Sequence, residues 1–242
     1  FQQNNLNRTG GPSWQVHLRK GNTTMANDST AGYGCRAVMT VGSTPATSGQ
    51  SEYKLYDYAG SAFNTIFKGD PVSLNAGTQA AEKGYIQDAT YDSTDDDNSG
   101  GAGWQNSADP LLVGVFNGAF WVDSGTSKPT WSNSVPSGTN FGTDYNTGSS
   151  DGCAYVLDNP NQEFNMRANA AWQQNDVGLN YNTGDNGATG ISGMSDERLS
   201  IATVAATSMF TLVRGANIPG QNDYTADGSD VVVVIGSASH LY

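Results

Sequence analysis

The apolar residues of this chain occur in short runs separated by long stretches of Gly, Ser, Thr, Asn and Asp, and no amphipathic helix or heptad pattern is sustained. The clearest run, 230–235, reads Asp-Val-Val-Val-Val-Ile, and β-branched residues on both faces are typical of a buried strand. Charged residues make up only 14% of the chain, so most of its polar residues are uncharged turn formers. The pattern predicts an all-β domain, a single barrel or sandwich of roughly nine to eleven short strands with long polar loops.

Further strands are predicted where alternating or continuous apolar residues end at a turn signal. Two short strands are expected on either side of the Gly-Asp-Pro turn at residues 69–71. The other predicted strands cover residues 34–41, 52–58, 84–89, 153–157, 163–168 and 210–214.

Three segments carry more specific predictions. Residues 111–122 contain Asn117-Gly118 between two apolar runs, which favours a β-hairpin. Residues 124–150 form a long polar excursion whose spaced aromatic residues are expected to pack on the body or on a neighbour. Helical structure is predicted for residues 196–206, and a single helical turn for 168–174.

Charge divides the chain at Met25. Residues 1–24 contain the bases Arg8, Arg19 and Lys20 and no acid, whereas the whole chain has 11 Lys+Arg and 23 Asp+Glu. Removing those three bases leaves 8 against 23, a net charge of −15 on residues 25–242. The Asn-, Gln- and Gly-rich first segment cannot bury a core, so an N-terminal arm (1–24) and one body (25–242) are predicted.

The same charge limits the possible partners. A strongly acidic body repels phosphate backbones, so no specific nucleic-acid partner is expected. No apolar run approaches the roughly 18–20 residues that a membrane-spanning helix needs, so no membrane partner is expected either.

Catalytic residue types are sparse and poorly placed. The two histidines, His17 and His240, lie near the ends of the chain, and no known nucleophile or phosphate-loop motif occurs. The chain is therefore predicted to be non-enzymatic and to need no cofactor. Paired carboxylates for glycoside hydrolysis are the open alternative, although none of the four Glu residues lies in a distinctive motif.

Two further features bear on metal and redox chemistry. Asp95-x-Asp97-x-Ser99-Gly100 matches the first half of a calcium-binding EF-hand loop, but Asn106 stands where the bidentate Glu is needed. A solvated acidic loop is the expectation. Cys35 and Cys153 are too far apart for a CxxC motif, and two buried free thiols are expected.

Several segments of the body carry a family resemblance. They read Met25-Ala-Asn-Asp-Ser-Thr-Ala-Gly-Tyr-Gly-Cys-Arg-Ala-Val38, Asn64-Thr-Ile-Phe-Lys-Gly-Asp-Pro-Val-Ser-Leu74, Leu111-Leu-Val-Gly-Val-Phe-Asn-Gly-Ala-Phe-Trp121, Ala154-Tyr-Val-Leu-Asp-Asn-Pro160 and Phe164-Asn-Met-Arg-Ala-Asn169, followed by the Val-rich strand near the C-terminus. In these segments the chain resembles virion structural proteins of tailed phages, notably phages of marine bacteria and cyanobacteria. The matching pieces are short and spread over most of residues 25–242.

The resemblance implies a capsid decoration, or cement, protein on the outer surface of the phage head, assembled in the host cytoplasm. Its implied partner is the major capsid protein, and it is expected to form dimers or trimers there. Residues 1–24 precede the usual start of the family and are predicted to dock on neighbouring subunits, together with loops 92–105 and 124–150. The residues predicted to bind a partner are Arg8, Trp14, Arg19, Lys20, Trp131, Phe141 and Tyr145.

Two other functions stay open from the sequence. One is a carbohydrate-binding or adhesive β-domain displayed on the virion, since exposed Trp and Tyr side chains can bind sugars. The other is a subunit of a tail or surface fibre. Trp104, Trp121 and Trp172 are expected in the core or in subunit contacts rather than in a ligand site.

Overall fold

Antiparallel β-sheets make up most of the chain that the structure describes. The structure, a computed structural model, describes residues 27, 32–41, 44–45, 49–55, 65–74, 84–89, 112–136, 138–143, 150–184, 193–204, 208–217 and 222–236. In chain order, the strands within these ranges are β1 (Arg36–Thr40), β2 (Thr44–Pro45), β3 (Ser51–Leu55), β4 (Ile66–Phe67), β5 (Pro71–Leu74), β6 (Ile86–Asp88), β7 (Leu112–Val122), β8 (Pro129–Ser132), β9 (Ser134–Val135), β10 (Gly152–Leu157), β11 (Gln162–Arg167), β12 (Asn180–Gly184), β13 (Arg198–Val204), β14 (Phe210–Gly215) and β15 (Asp230–Ile235).

The strands form two large sheets and one small one. The first sheet has seven strands in the order β13-β12-β14-β15-β11-β1-β2. The second has the order β3-β10-β7-β5-β6, with β8 also paired to β7, and β4 and β9 pair with each other. Within the described residues neither large sheet closes into a barrel. The all-β prediction is therefore confirmed, in its sandwich-like form.

Strand β7 joins the two hydrophobic clusters of the core. Leu112 and Val115 pack in one cluster with side chains from the seven-stranded sheet, whereas Val113 and Phe116 pack in the other cluster with residues such as Val156. A strand buried on both faces needs a nearly continuous apolar run. This explains why residues 111–116 are the most apolar central piece of the sequence.

Most predicted strands are confirmed. β1, β6, β10, β11, β14 and β15 lie within or close to the ranges predicted for them, and β4 and β5 flank the turn at Gly69 and Asp70. The predicted strand 52–58 corresponds to β3, and its last residues, 56–58, lie outside the described residues. The run 230–235 is buried between β14 and β11, as expected.

The predicted hairpin at Asn117-Gly118 is wrong, because β7 runs unbroken from Leu112 to Val122. Opposite β10, Tyr155 pairs with Gly118 and Val156 with Phe116, so Asn117 is the extra residue of a β-bulge. Gly118 has φ 134°, which a glycine adopts without strain. The turn comes later: the Asp123 carboxylate accepts hydrogen bonds from the Thr126 N–H (2.7 Å) and hydroxyl (2.8 Å), and β7 returns as β8.

Both helical predictions are also wrong. Residues 198–204 form strand β13, with Leu199 buried in the core, and residues 205–206 lie outside the described residues. Residues 168–173 are not helical, and a single 3-10 turn occurs just after them at Gln174–Asp176. Strand β12 was not predicted because its sequence, Asn-Tyr-Asn-Thr-Gly, looks like a loop; Tyr181 nevertheless anchors it in the core.

Candidate functional site

The structure describes two of the seven predicted partner-binding residues, Trp131 and Phe141. Arg8, Trp14, Arg19, Lys20 and Tyr145 lie outside the described residues. Trp131 lies on β8 with 56% of its surface exposed. Phe141 is only 3% exposed and packs against Trp121, with ring centroids 5.9 Å apart. Phe141 is thus a core residue, and a partner could reach it only if the fold opened.

The described part of the excursion 124–150 packs on the body, which is one of the two predicted arrangements. Residues 129–132 and 134–135 form β8 and β9, and Phe141 bridges back to Asp123. Residues 137 and 144–149 lie outside the described residues. The excursion therefore brings Trp131 onto the outer face of the second large sheet.

Trp131 is part of a group of three aromatic side chains, which we call the aromatic strip: Phe120 on β7, Trp131 on β8 and Tyr155 on β10. Phe120 pairs directly with Trp131 across the strands, and the Trp131 and Tyr155 rings are 4.9 Å apart at 44°. Phe120 is 38% exposed. These rings present exposed aromatic surface across three neighbouring strands.

The bulge in β7 makes room for this arrangement. A Cβ atom at Gly118 would lie 3.2 Å from Cζ2 and 3.7 Å from Cε2 of Trp131, so the indole occupies space that a side chain would fill. Gly118 is paired with Tyr155. The glycine therefore lets the indole lean across β7 and stack on the tyrosine.

Polar residues border the strip on the β3 side. Glu52 is paired with Tyr155, and Lys54, paired with Cys153, lies 3.6 Å from Asp151. This ion pair is solvent-exposed on the lysine side, so it contributes little stability. Beside the bulge, the Asn117 Nδ2 group donates a 2.7 Å hydrogen bond to Gln50 Oε1. The strip thus has hydrogen-bonding groups along one border.

Tyr155 of the strip and the neighbouring Cys153 thiol are both neutral near pH 7. Burial, followed by the nearby Cys153 and Glu52 charges, raises the pKa of Tyr155 above its usual value. Burial and the Glu52 carboxylate likewise raise the pKa of Cys153. A thiol with a raised pKa is a poor nucleophile at neutral pH. The Cys153 thiol beside the strip is therefore poorly suited to covalent chemistry at neutral pH.

A second cluster, of carboxyl groups, lies where three segments of backbone meet. The Cys35 N–H donates to the Gly69 carbonyl (2.8 Å), the Ser195 N–H to the Lys68 carbonyl (2.9 Å), and the Gly34 N–H to the Glu197 carbonyl (3.1 Å). Inside this junction Asp70 is only 4% exposed.

Burial dominates the chemistry of that junction. Desolvation, with repulsion from Asp88, raises the pKa of Asp70 well above its usual value, although bonds from Ser195 and the Phe67 N–H oppose the shift. Desolvation also raises the pKa of Cys35. A carboxyl group this buried is out of reach of a polysaccharide, so it does not supply the accessible acid that glycoside hydrolysis requires. We assign the junction a structural role.

The remaining predictions concern single residues. Among the described residues Cys35 and Cys153 are free thiols, as predicted, but only Cys35 is fully buried. Trp121 and Trp172 are core residues, as predicted, and the Trp172 indole N–H donates to Ser229 Oγ. His17, His240, Trp104 and the acidic loop 92–103 lie outside the described residues.

Two members of the strip, Phe120 and Tyr155, were missed from the sequence. The alternation of Cys153 and Tyr155 with Ala154 and Val156 was a usable signal, because period-2 patterns separate the two faces of a strand. For Phe120 and Trp121 the signal was ambiguous: both are large aromatics, and either could face the core. Only the bulge at Asn117 settles which of the two points outward.

The wider comparisons add no relative. No protein-family model matches the chain, and neither the curated proteins nor the solved structures yield a match. In the part of the chain that the structure describes, no helix is long and apolar enough to span a bilayer. Across the same residues, no group of three or more His, Cys, Asp or Glu side chains is placed to hold a metal ion.

Proposed function

We propose that this chain is a non-enzymatic structural protein of a phage head, a decoration protein that binds the major capsid protein on the outer surface and stabilises the shell. The observation that carries the proposal is where the phage-like segments lie. They supply β1, β4, β5, β7, β10 and β11, which are dispersed in the sequence. In the fold β7 pairs with both β5 and β10, and β11 pairs with β1.

This placement supports a resemblance that extends over the whole body, residues 25–242. Most of the matching segments lie next to one another in the fold rather than on separate parts of it. Here they supply the three central strands of the second large sheet, including the doubly buried β7, and the adjacent strands β11 and β1 of the first. The resemblance then carries over a function in assembly, with the chain forming dimers or trimers on the shell.

The charge distribution suits such a function. A decoration protein stabilises a shell by binding the assembled state, so that rupture must also break its contacts. The net charge of −12 keeps the free protein soluble and monodisperse before it meets the lattice. The basic arm, residues 1–24, adds contact area with neighbouring subunits.

The test uses purified heads that lack the protein. The full chain should bind them in a fixed ratio to capsid subunits and raise their thermal and osmotic resistance. A chain of residues 25–242 should bind at least about tenfold more weakly, equivalent to about 1.4 kcal/mol. A full-length variant with Arg8, Arg19 and Lys20 changed to Ser separates the charge of the arm from its length.

Two results would contradict the proposal or a part of it. If heads neither bind the full chain nor become more resistant with it, the decoration function is wrong. If the 25–242 chain binds as tightly as the full chain, the body alone docks and the arm has no part in the interface.

A further inference from the structure

The geometry points to a second binding activity beyond head decoration: the aromatic strip is a site for an uncharged carbohydrate chain. Aromatic rings carry negative charge on their faces and attract the weakly positive C–H groups on the flat side of a sugar ring. Phe120, Trp131 and Tyr155 offer three such rings on neighbouring strands. The Trp131 and Tyr155 ring centroids are only 4.9 Å apart because the indole leans across β7, so the rings form one compact platform for a sugar ring.

The size of the strip favours a sugar over a protein. A fully covered aromatic side chain buries about 150–250 Å², so Trp131 at 56% and Phe120 at 38% exposure together offer on the order of 200 Å². A stable protein interface needs about 800 Å² from each partner. The exposed aromatic surface is thus well below that of a protein interface, and it is bordered by the charged residues Glu52 and Lys54.

The residues that border the strip supply the hydrogen-bonding groups that a sugar site needs. Carbohydrate hydroxyls need donors and acceptors beside the rings, and small-ligand sites generally combine aromatic walls with a few polar groups. The Asn117–Gln50 pair lies next to Gly118, and the Glu52 carboxylate lies across from Tyr155. Asn117 is placed there by the bulge, which also lets Trp131 lean over Gly118.

The negative charge of the protein favours uncharged ligands among those that stack on aromatic rings. Single-stranded nucleic acids and sulfated polysaccharides also stack or bind along such surfaces, but they are polyanions. The chain carries a net charge of −12, and Lys54, the base on β3 beside the strip, lies 3.6 Å from Asp151. A neutral polysaccharide is the ligand that this acidic body does not repel.

The test is affinity electrophoresis of the full chain in gels that contain hydroxyethylcellulose, laminarin, galactomannan or dextran sulfate. We expect retardation by at least one of the three neutral polymers and none by dextran sulfate. Trp131→Ala should lose at least tenfold in affinity, whereas Trp131→Phe should keep most of it. Leu179→Ala removes an apolar side chain outside the strip that is 40% exposed, and this variant should bind like the wild type. Circular dichroism confirms that each variant is folded.

Every other outcome overturns the inference. It is wrong if no neutral polymer retards the wild type, if dextran sulfate alone does so, or if Trp131→Ala binds as well as the wild type. Head binding by the same variants distinguishes the two proposals. If Trp131→Ala loses head binding and no polysaccharide binds the wild type, the strip is a capsid contact. If the chain binds a polysaccharide but does not bind heads, this inference holds and the decoration proposal is wrong.

Discussion

Asp70 shows how one buried carboxyl group couples this fold to pH. Its side chain accepts a 2.6 Å hydrogen bond from the Phe67 N–H, yet burial and repulsion from Asp88 and Asp196 raise its pKa well above the usual value. A raised folded-state pKa means that the folded protein binds the proton more tightly than the unfolded chain does. Its contribution to stability is therefore fully present below the unfolded pKa and is lost as pH rises through the folded pKa.

We expect Asp70→Asn to stabilise the protein at pH 8 by about 1–3 kcal/mol, because the amide needs no proton to be buried neutral and its oxygen can still accept from Phe67. The gain should shrink toward pH 3, below the usual Asp pKa, where the wild-type carboxyl group is largely protonated in both states. Urea denaturation between those pH values measures it.

The matched control is Asp223→Asn. The Asp223 carboxylate accepts hydrogen bonds from the Thr225 hydroxyl and N–H, which hold its pKa below the usual value. Asp223→Asn should therefore lower stability at neutral pH, and the loss should fade as pH falls through the folded pKa. A gain that does not depend on pH in Asp70→Asn would refute the burial argument.

Among the elements, β7 depends on the bulge at Asn117. Gly118 has φ 134°, and a Cβ there would lie 3.2 Å from both the Ser132 carbonyl oxygen and the Trp131 ring. Gly118→Ala should therefore destabilise the fold by about 1–3 kcal/mol through backbone strain and crowding. Gly49→Ala, where a Cβ meets nothing within 4 Å, should change stability by no more than about 0.5 kcal/mol. Thermal unfolding compares the two, and equal effects would mean that the bulge carries no strain.

An element could be predicted from the sequence where its local sequence signal was strong. Runs such as 230–235 were predictable because several β-branched residues act together. β12 and β13 were not, because tertiary burial of Tyr181 and Leu199 overrides weak local preferences. The hairpin prediction at Asn117-Gly118 was wrong because a β-bulge and a β-turn can both hold a glycine at positive φ. Only the pairing partners on β10 distinguish them, and those lie far away in the sequence.

The candidate site was predictable only in part for a related reason. The sequence marked Trp131 as an aromatic in a polar segment, but it marked Phe141 equally. Their different environments arise from β8 pairing at the edge of β7 and from Phe141 packing on Trp121. A grouping of three rings from three strands exists only after the sheet has formed.

At the scale of the molecule, the two thiols report on different parts of the structure. Cys35 is buried in the first hydrophobic cluster, and Cys153 is half-buried on the outer face of the second large sheet. Native protein at about pH 8.5, near the usual thiol pKa, should bind one equivalent of a thiol reagent, slowly because the pKa of Cys153 is raised. In urea both thiols should react.

Cys153→Ser is the control, and its native form should not react until the molecule opens. The labelling rate of Cys35 then measures global unfolding. Rapid reaction of both native thiols would contradict the burial of Cys35, and no reaction even in urea would mean that the two are joined in a disulfide.

Strands near the N-terminus pair with strands that come much later in the sequence, and this limits how early in synthesis the protein can fold. β1 pairs with β11 and β3 with β10, so apart from the short pairing of β1 with β2 these strands lack their partners until much of the chain has left the ribosome. Closing such large loops before any contact is gained makes folding slow. In the meantime, the charged Glu52 and Lys54 of β3 discourage pairing with the edges of other chains. A product that terminates before β10 therefore contains neither β10, the partner of β3, nor β11, the long partner of β1.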